Sequence, residues 1–124
     1  MDINLLNGLS LAYIGDAYYE LKVRTHFINL GYMKVNDLHK FVVKYTSGDA
    51  QAKFIHYFLE KSILKEEEIL IFKRGRNSHV HTSRKNLELK DYLDATGFEA
   101  IFGYLYLKNE INRIDELMDI IFKI

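Results

Sequence analysis

Apolar residues recur at spacings of three and four along most of this chain, and no proline interrupts them. That periodicity predicts an all-α fold. A first helix runs from about Leu5 to Leu30 and stops at Gly31, a natural left-handed cap. Asn36 caps a second helix carrying Leu38, Phe41 and Val42. Ser47 or Asp49 starts a third, with Ala52, Phe54, Ile55, Phe58 and Leu59 inward. The run Glu66-Glu67-Glu68 starts a fourth, because anions favour the positive end of the helix dipole. That helix holds Ile69, Leu70 and Phe72 and ends near Arg76, and Asn77 to Asn86 reads as a polar, basic loop. A long helix follows from about Leu87 to Asn109, then a last one from about Asn112 to Phe122. With no internal repeat, low-complexity segment or linker, residues 1–124 read as a single domain.

Two carboxylates break the apolar pattern. Asp16 stands in Leu9-Ser10-Leu11-Ala12-Tyr13-Ile14-Gly15-Asp16-Ala17, and Glu99 in Phe98-Glu99-Ala100-Ile101-Phe102-Gly103-Tyr104-Leu105-Tyr106-Leu107. An unpaired buried carboxylate is costly, so it is normally protonated, paired or bound to a metal. Residues seven apart on a helix differ by only about 20° in direction. Asp16 is therefore in line with Leu9, on the stripe of Ala12 and Tyr13, and is expected on the buried side or its edge. Glu99 is in line with Tyr92 and Tyr106, beside Thr96 and Phe102, on a helix that is apolar nearly all round. Gly15, Gly97 and Gly103 each cost a helix about 1 kcal/mol relative to Ala, which close helix–helix approach offsets. Two helices crossing there bring Asp16 and Glu99 together. Either acid alone reads as satisfied by a Tyr, Lys22 or Arg24. Together they favour a shared Mg²⁺ site, since that ion binds through one or two carboxylates and keeps several waters. Those waters supply a nucleophile for phosphodiester hydrolysis. Glu20 is expected to pair with Arg24 at i+4.

At 124 residues, 48% apolar and 27% charged, the chain is an ordinary globular domain. Folding at this size buries about two-thirds of the unfolded surface. The absence of cysteine excludes disulfides and thiolate metal sites. No signal-peptide pattern opens the sequence, and its longest apolar run is shorter than the roughly 20 residues a membrane span needs. A soluble, cytoplasmic protein is expected. Net charge is zero, but its distribution is uneven. From Ile71 to Asn86 there is no acid, while Lys73, Arg74, Arg76, Arg84 and Lys85 gather with His79 and His81. Such a run is more often simply solvated, but its freedom from acids and its place before the Glu99 helix favour RNA. Double-stranded RNA is read by shape through phosphates and 2′-hydroxyls, and arginine grips phosphate bidentately. Those five cations are the candidate backbone contacts, with Thr82, Ser83 and Asn86 as neutral partners. His79 and His81, alternate residues in a loop, make a poor preformed metal site, and zinc is not implied.

These residues resemble a known family. Leu11-Ala12-Tyr13-Ile14-Gly15-Asp16-Ala17 is similar to the signature helix of ribonuclease III, and Phe98 to Leu107 to its second acidic helix. The match is closer to the Mini-ribonuclease III subgroup, which has no attached double-stranded-RNA-binding domain. Leu38-His39-Lys40, Lys73-Arg74-Gly75-Arg76-Asn77, Lys85-Asn86 and Ala95-Thr96-Gly97-Phe98-Glu99-Ala100 share that likeness, which spans about Leu5 to Leu117. The resemblance implies an all-α homodimer, a helical bundle of the ribonuclease III endonuclease type, that cuts double-stranded RNA with Mg²⁺. Asp16 and Glu99 would be its catalytic, metal-binding carboxylates. It also implies maturation of the large-subunit (23S) ribosomal RNA precursor, with a ribosomal protein or pre-ribosome as companion. Full-length ribonuclease III carries further acids where this chain has Leu9, Ala12 and Thr96, a reduction the subgroup shares. Thr96 is the residue whose hydroxyl could hold a metal-bound water. Asp94 points about 140° away from Glu99 on an ideal helix and is not assigned as a ligand.

Two other classes compete with the endoribonuclease. The missing acids suit a non-catalytic module that keeps fold and basic patch and only binds duplex RNA. Internal satisfaction of both acids suits a helical interaction protein.

Overall fold

The computed structural model describes residues 1–78 and 86–124, with side chains for all of these except 86–88. After a 3₁₀ turn at Ile3–Leu5, the described residues form α1 (Gly8–Asn29), α2 (Val35–Thr46), α3 (Gly48–Glu60), α4 (Glu66–Arg76), α5 (Asn86–Leu107) and α6 (Ile111–Lys123), with no strand among them. The all-α expectation holds.

Helix ends fall where local chemistry stops them. The Asn7 side chain accepts from the Ser10 N–H at 2.8 Å, so α1 starts after Asn7 rather than at Leu5. Gly31, at φ 104°, closes its far end as expected. Ser47 accepts from the Ala50 N–H at 3.2 Å and starts α3. The cap expected at Asn36 does not form. Helix α2 already begins at Val35 with no side-chain cap, and Asp37 in its first turn supplies the favourable negative charge instead. Of the three glutamates opening α4, Glu68 is fully buried and reaches back to the Lys65 N–H at 2.8 Å. Its carboxylate also accepts from the Arg113 guanidinium at 2.8 and 2.9 Å, which ties α4 to α6.

Helix α5 is the central element and packs against α1, α3, α4 and α6. Its Phe98, Ile101 and Phe102 are fully buried. The Phe98 ring lies 5.0 Å from Tyr19 edge-on and 4.9 Å from Phe102. Aromatic pairs of this kind contribute about 0.5–1.5 kcal/mol beyond their buried area. Leu59, expected inward, is exposed, and on α4 Ile71 and Phe72 are buried while Leu70 is exposed.

The crossing of α1 over α5 sets up the site. A Cβ on Gly15 would fall on the Glu99 carbonyl oxygen, and one on Gly103 on the Leu11 carbonyl oxygen. The two backbones touch here because neither residue carries a side chain, which is the close approach that offsets glycine's helix cost.

Candidate active site

Asp16 directly follows Gly15, so the crossing sets it beside Glu99. Burial, and then the neighbouring Asp16, pushes the Glu99 carboxyl from 4.5 up to about 9, while a hydrogen bond from the Gln51 amide pulls the other way. Tyr19 is fully buried below them and its hydroxyl donates to the Tyr45 carbonyl at 2.7 Å. Burial, Tyr45 and Glu99 together raise the Tyr19 phenol well above its usual value, so it stays neutral.

The cations that could have satisfied these acids are engaged elsewhere. Lys22 pairs with Asp115 at 2.7 Å, and Arg24 with Glu20 at 3.1 Å, the i+4 pair expected from the sequence. Two neighbouring carboxyls without a cation between them fit a divalent ion. Such an ion replaces the proton and neutralises both charges, where a monovalent partner would leave one over.

Of the two positions expected for Asp16, the structure shows the edge: it is exposed on α1, as are Leu9 and Tyr13, while Ala12 is buried. The boundary of the core runs between Ala12 and Tyr13, so the cost of an unpaired buried acid applies to Glu99 and not to Asp16.

Thr96 is buried, and its hydroxyl donates to the Tyr92 carbonyl at 3.0 Å within its own helix. Asp94 faces away, as its helical phase requires. One of its oxygens accepts from Arg76 Nε at 2.6 Å and the other meets His56 Nε2 at 2.7 Å. His56, Asp91 and Asp94 form a second group of metal-ligating types, their ligand atoms within 4.8 Å of one another. Here, however, an arginine already meets the buried charge.

The basic residues divide in the same way. Lys73 and Arg74 are exposed on the last turns of α4, with Arg74 Nη1 3.5 Å from the Leu6 carbonyl. Arg76 is tied to Asp94. Arg84, Lys85, Thr82, Ser83, His79 and His81 lie outside the described residues, as does the Asn86 side chain. Sequence reasoning passed over Gln51. The signal was available, because Gln51 shares the i, i+4, i+7 stripe of Ile55 and Phe58 and is polar where both neighbours are fully buried.

The ribonuclease III domain matches residues 9–110, a span that holds both Asp16 and Glu99. This chain belongs to the ribonuclease III family. It is 44% identical over 118 residues to the Mini-ribonuclease 3 of Streptococcus pneumoniae, covering 95% of this chain and 92% of that protein. It is 47% identical over 121 residues to the Mini-ribonuclease 3 of Clostridium tetani, covering 97% and 79%. A crystal structure of a protein from Fusobacterium nucleatum superposes with a TM-score of 0.86 at 32% identity, covering 99% of this chain and 98% of that one. The helical fold and the class of activity, endoribonuclease, go with ribonuclease III membership. Ribonuclease III enzymes act on double-stranded RNA and generally depend on a metal ion.

Proposed function

We propose that this ribonuclease III chain works as one catalytic domain that cleaves double-stranded RNA with Mg²⁺, using Asp16 and Glu99 as its ion-holding carboxylates. The observation that carries the reading is the close crossing of α1 and α5 at Gly15 and Gly103, which sets Asp16 beside a Glu99 carboxyl pushed up by burial and by that neighbouring acid, with Lys22 and Arg24 engaged elsewhere. When bound, the ion supplies an activated water and neutralises charge that develops on the phosphate. The protein's part is position. Asp16 comes from α1 and Glu99 from α5, and the glycine crossing fixes their separation. Glu99 must give up its proton for the site to fill. In the reaction a phosphorus–oxygen bond of the RNA backbone breaks, the hydroxyl of water joins the phosphorus, and water's remaining proton goes to the leaving oxygen.

Lys73, Arg74, Arg84 and Lys85 are assigned to the phosphates, and Arg76 to anchoring the end of α4. Leu9, Tyr13, Leu21 and Ile28 leave an apolar face of α1 open to solvent. A second copy is assigned to that face, and two sites then serve two strands. A monomer by light scattering at assay concentration would remove the dimer from this reading. By similarity to the Mini-ribonuclease 3 proteins, the substrate assigned is the precursor of 23S ribosomal RNA, met in the cytoplasm in a pre-ribosome or with a ribosomal protein.

The test is cleavage of a long RNA duplex with and without Mg²⁺, beside Asp16→Asn and Glu99→Gln. Each variant should lose about a thousandfold or more, because several kcal/mol of transition-state stabilisation go with the ion and each 1.4 kcal/mol is tenfold. Salt-sensitive duplex binding by the parent without any cutting would favour the non-catalytic module instead.

A further inference from the structure

The side of α5 turned away from Glu99 carries ligating groups drawn from two helices. Asp91 and Asp94 stand three residues apart on α5, a spacing that sets two side chains on one helix face. The imidazole of His56 meets them from α3, with Nε2 2.7 Å from Asp94 Oδ2. One ligand atom from each of the three lies within 4.8 Å of the other two. Asp94 is buried and held by Arg76, whose Nε donates to the other oxygen, Oδ1, at 2.6 Å. That bond leaves Oδ2 directed at the imidazole. Asp91 is half-buried and enters none of the ion pairs of the described residues. The group opens on a groove of about 440 Å³ lined by His56 and Asp91 together with Asp49, Glu60 and Lys53. Three carboxylates against one lysine draw cations into it.

Arg76 matches the charge of Asp94 but not that of Asp91, so a cation still has a place here. The hydrogen bond between His56 and Asp94 carries one proton, and a metal ion takes that proton's position. The proton goes to solvent, and Arg76 keeps Oδ1. Zinc lies about 2.0–2.2 Å from imidazole nitrogen and carboxylate oxygen, so the three ligand atoms meet it after shifts of about 1 Å. Water from the groove fills the fourth position. Arg76 is then the outer partner that fixes a ligating carboxylate. One nitrogen with two oxygens disfavours Mg²⁺, which takes oxygen, and such a set binds Mn²⁺ more weakly than zinc.

We propose that His56, Asp91 and Asp94 hold a zinc-class divalent ion that ties α3 to α5, separate from the Asp16–Glu99 pair. Nothing local in the sequence points to it, since His56 stands 38 residues from Asp94.

The experiment titrates Zn²⁺ calorimetrically into Glu99→Gln, which removes one acid of the pair, and into Glu99→Gln combined with Asp91→Ala or with His56→Ala. The test therefore does not depend on how the pair is read. Asp91→Ala is the decisive change, because it leaves the Arg76–Asp94 ion pair intact. One equivalent of Zn²⁺ should bind to Glu99→Gln. Losing an outer partner costs a metal site about 10–100-fold in affinity, so losing a ligand should cost tenfold or more in each double variant. With Zn²⁺ at a hundred times its Kd, the melting midpoint of Glu99→Gln should rise by about 10 °C. The double variants should gain half of that or less at the same concentration. No saturable Zn²⁺ binding by Glu99→Gln overturns the proposal, as does binding that either further substitution leaves at full strength. Mn²⁺ favours the oxygen-only pair and should bind Asp91→Ala, with Glu99 intact, as tightly as the parent. A fall there would assign Asp91 to that pair and overturn a separate site.

Discussion

Asp94 and Glu99 stand five residues apart on α5, the first buried and the second half-buried, and their surroundings are opposite. Asp94 meets Arg76 from α4 at 2.6 Å and His56 from α3 at 2.7 Å, so its charge is matched and three helices are pinned together. Glu99 meets another acid, Asp16, and a neutral amide, Gln51. Folding alone rewards the first arrangement and not the second, since a carboxyl facing a carboxyl away from water is unfavourable until a proton or a cation joins them. The contrast separates an acid used to hold the fold from an acid kept ready for a ligand. Substituting each acid by its amide, nearly isosteric, tests that distinction directly, because the two changes should move stability in opposite directions.

The largest stability effect belongs to Asp94→Asn. It leaves Arg76 facing a neutral group and should cost about 3 kcal/mol, the low end for breaking a buried ion pair, because Arg76 keeps some contact with water. For a domain of this size that is a drop of about 10 °C in melting midpoint by calorimetry. Affinity for Mn²⁺ should stay unchanged. A melting midpoint equal to the parent's would show that the Arg76 and His56 contacts contribute little and that the comparison is mistaken.

Glu99→Gln should do the reverse when ions are chelated. An acid held up to about 9 in the folded state, against 4.5 ordinarily, stays protonated there while the unfolded chain ionises. Below pH 4.5 both states are protonated and the group contributes nothing to the difference. As pH rises towards 9 the unfolded state loses its proton first, so stability falls, and beyond that the penalty is complete. Urea unfolding of the parent in chelator should therefore weaken from pH 5 to pH 8. The variant lacks that slope and should exceed the parent by about 2 kcal/mol at pH 8, less than the full shift at about 1.4 kcal/mol per unit because Asp16 opens to water. The same variant should lose cleavage. Equal slopes in both proteins would place the pH dependence on another group.

Much of this was readable in the sequence because it depends on spacing. Helical periodicity gave the elements, and three glycines inside them marked where helices touch, which set Asp16 beside Glu99. What stayed hidden depends on distant partners. Nothing local to Asp94 announces His56 or Arg76, which are 38 and 18 residues away. Glu68 looked like one of three interchangeable charges at a helix start, yet it alone turns inward to Arg113, 45 residues on. Asp16 was left between the buried side and its edge because a stripe has two borders, and periodicity does not say which one faces solvent. Asn36 was misread as a cap because its residue type suited the role while Asp37 made a cap unnecessary.

The smallest expected effect carries the comparison from the acids to the cations. Arg74 and Arg76 lie two residues apart at the end of α4, one exposed and one clamped by Asp94. If phosphate contact is a matter of freedom to reach, Arg74→Ala should weaken duplex binding by about 1 kcal/mol and lower the slope of log affinity against log salt by about one for each copy of the residue that touches the RNA. Arg76→Ala should lower the melting midpoint and leave that slope alone. Binding measured without Mg²⁺ by fluorescence anisotropy, at several salt concentrations, reads both. A slope change near two for Arg74→Ala would mean that two protomers grip one duplex, and a change near one would confine the contact to a single copy. Equal slope changes for both arginines would mean that Asp94 releases Arg76 when RNA binds, and the clamp would then belong to recognition rather than to the fold.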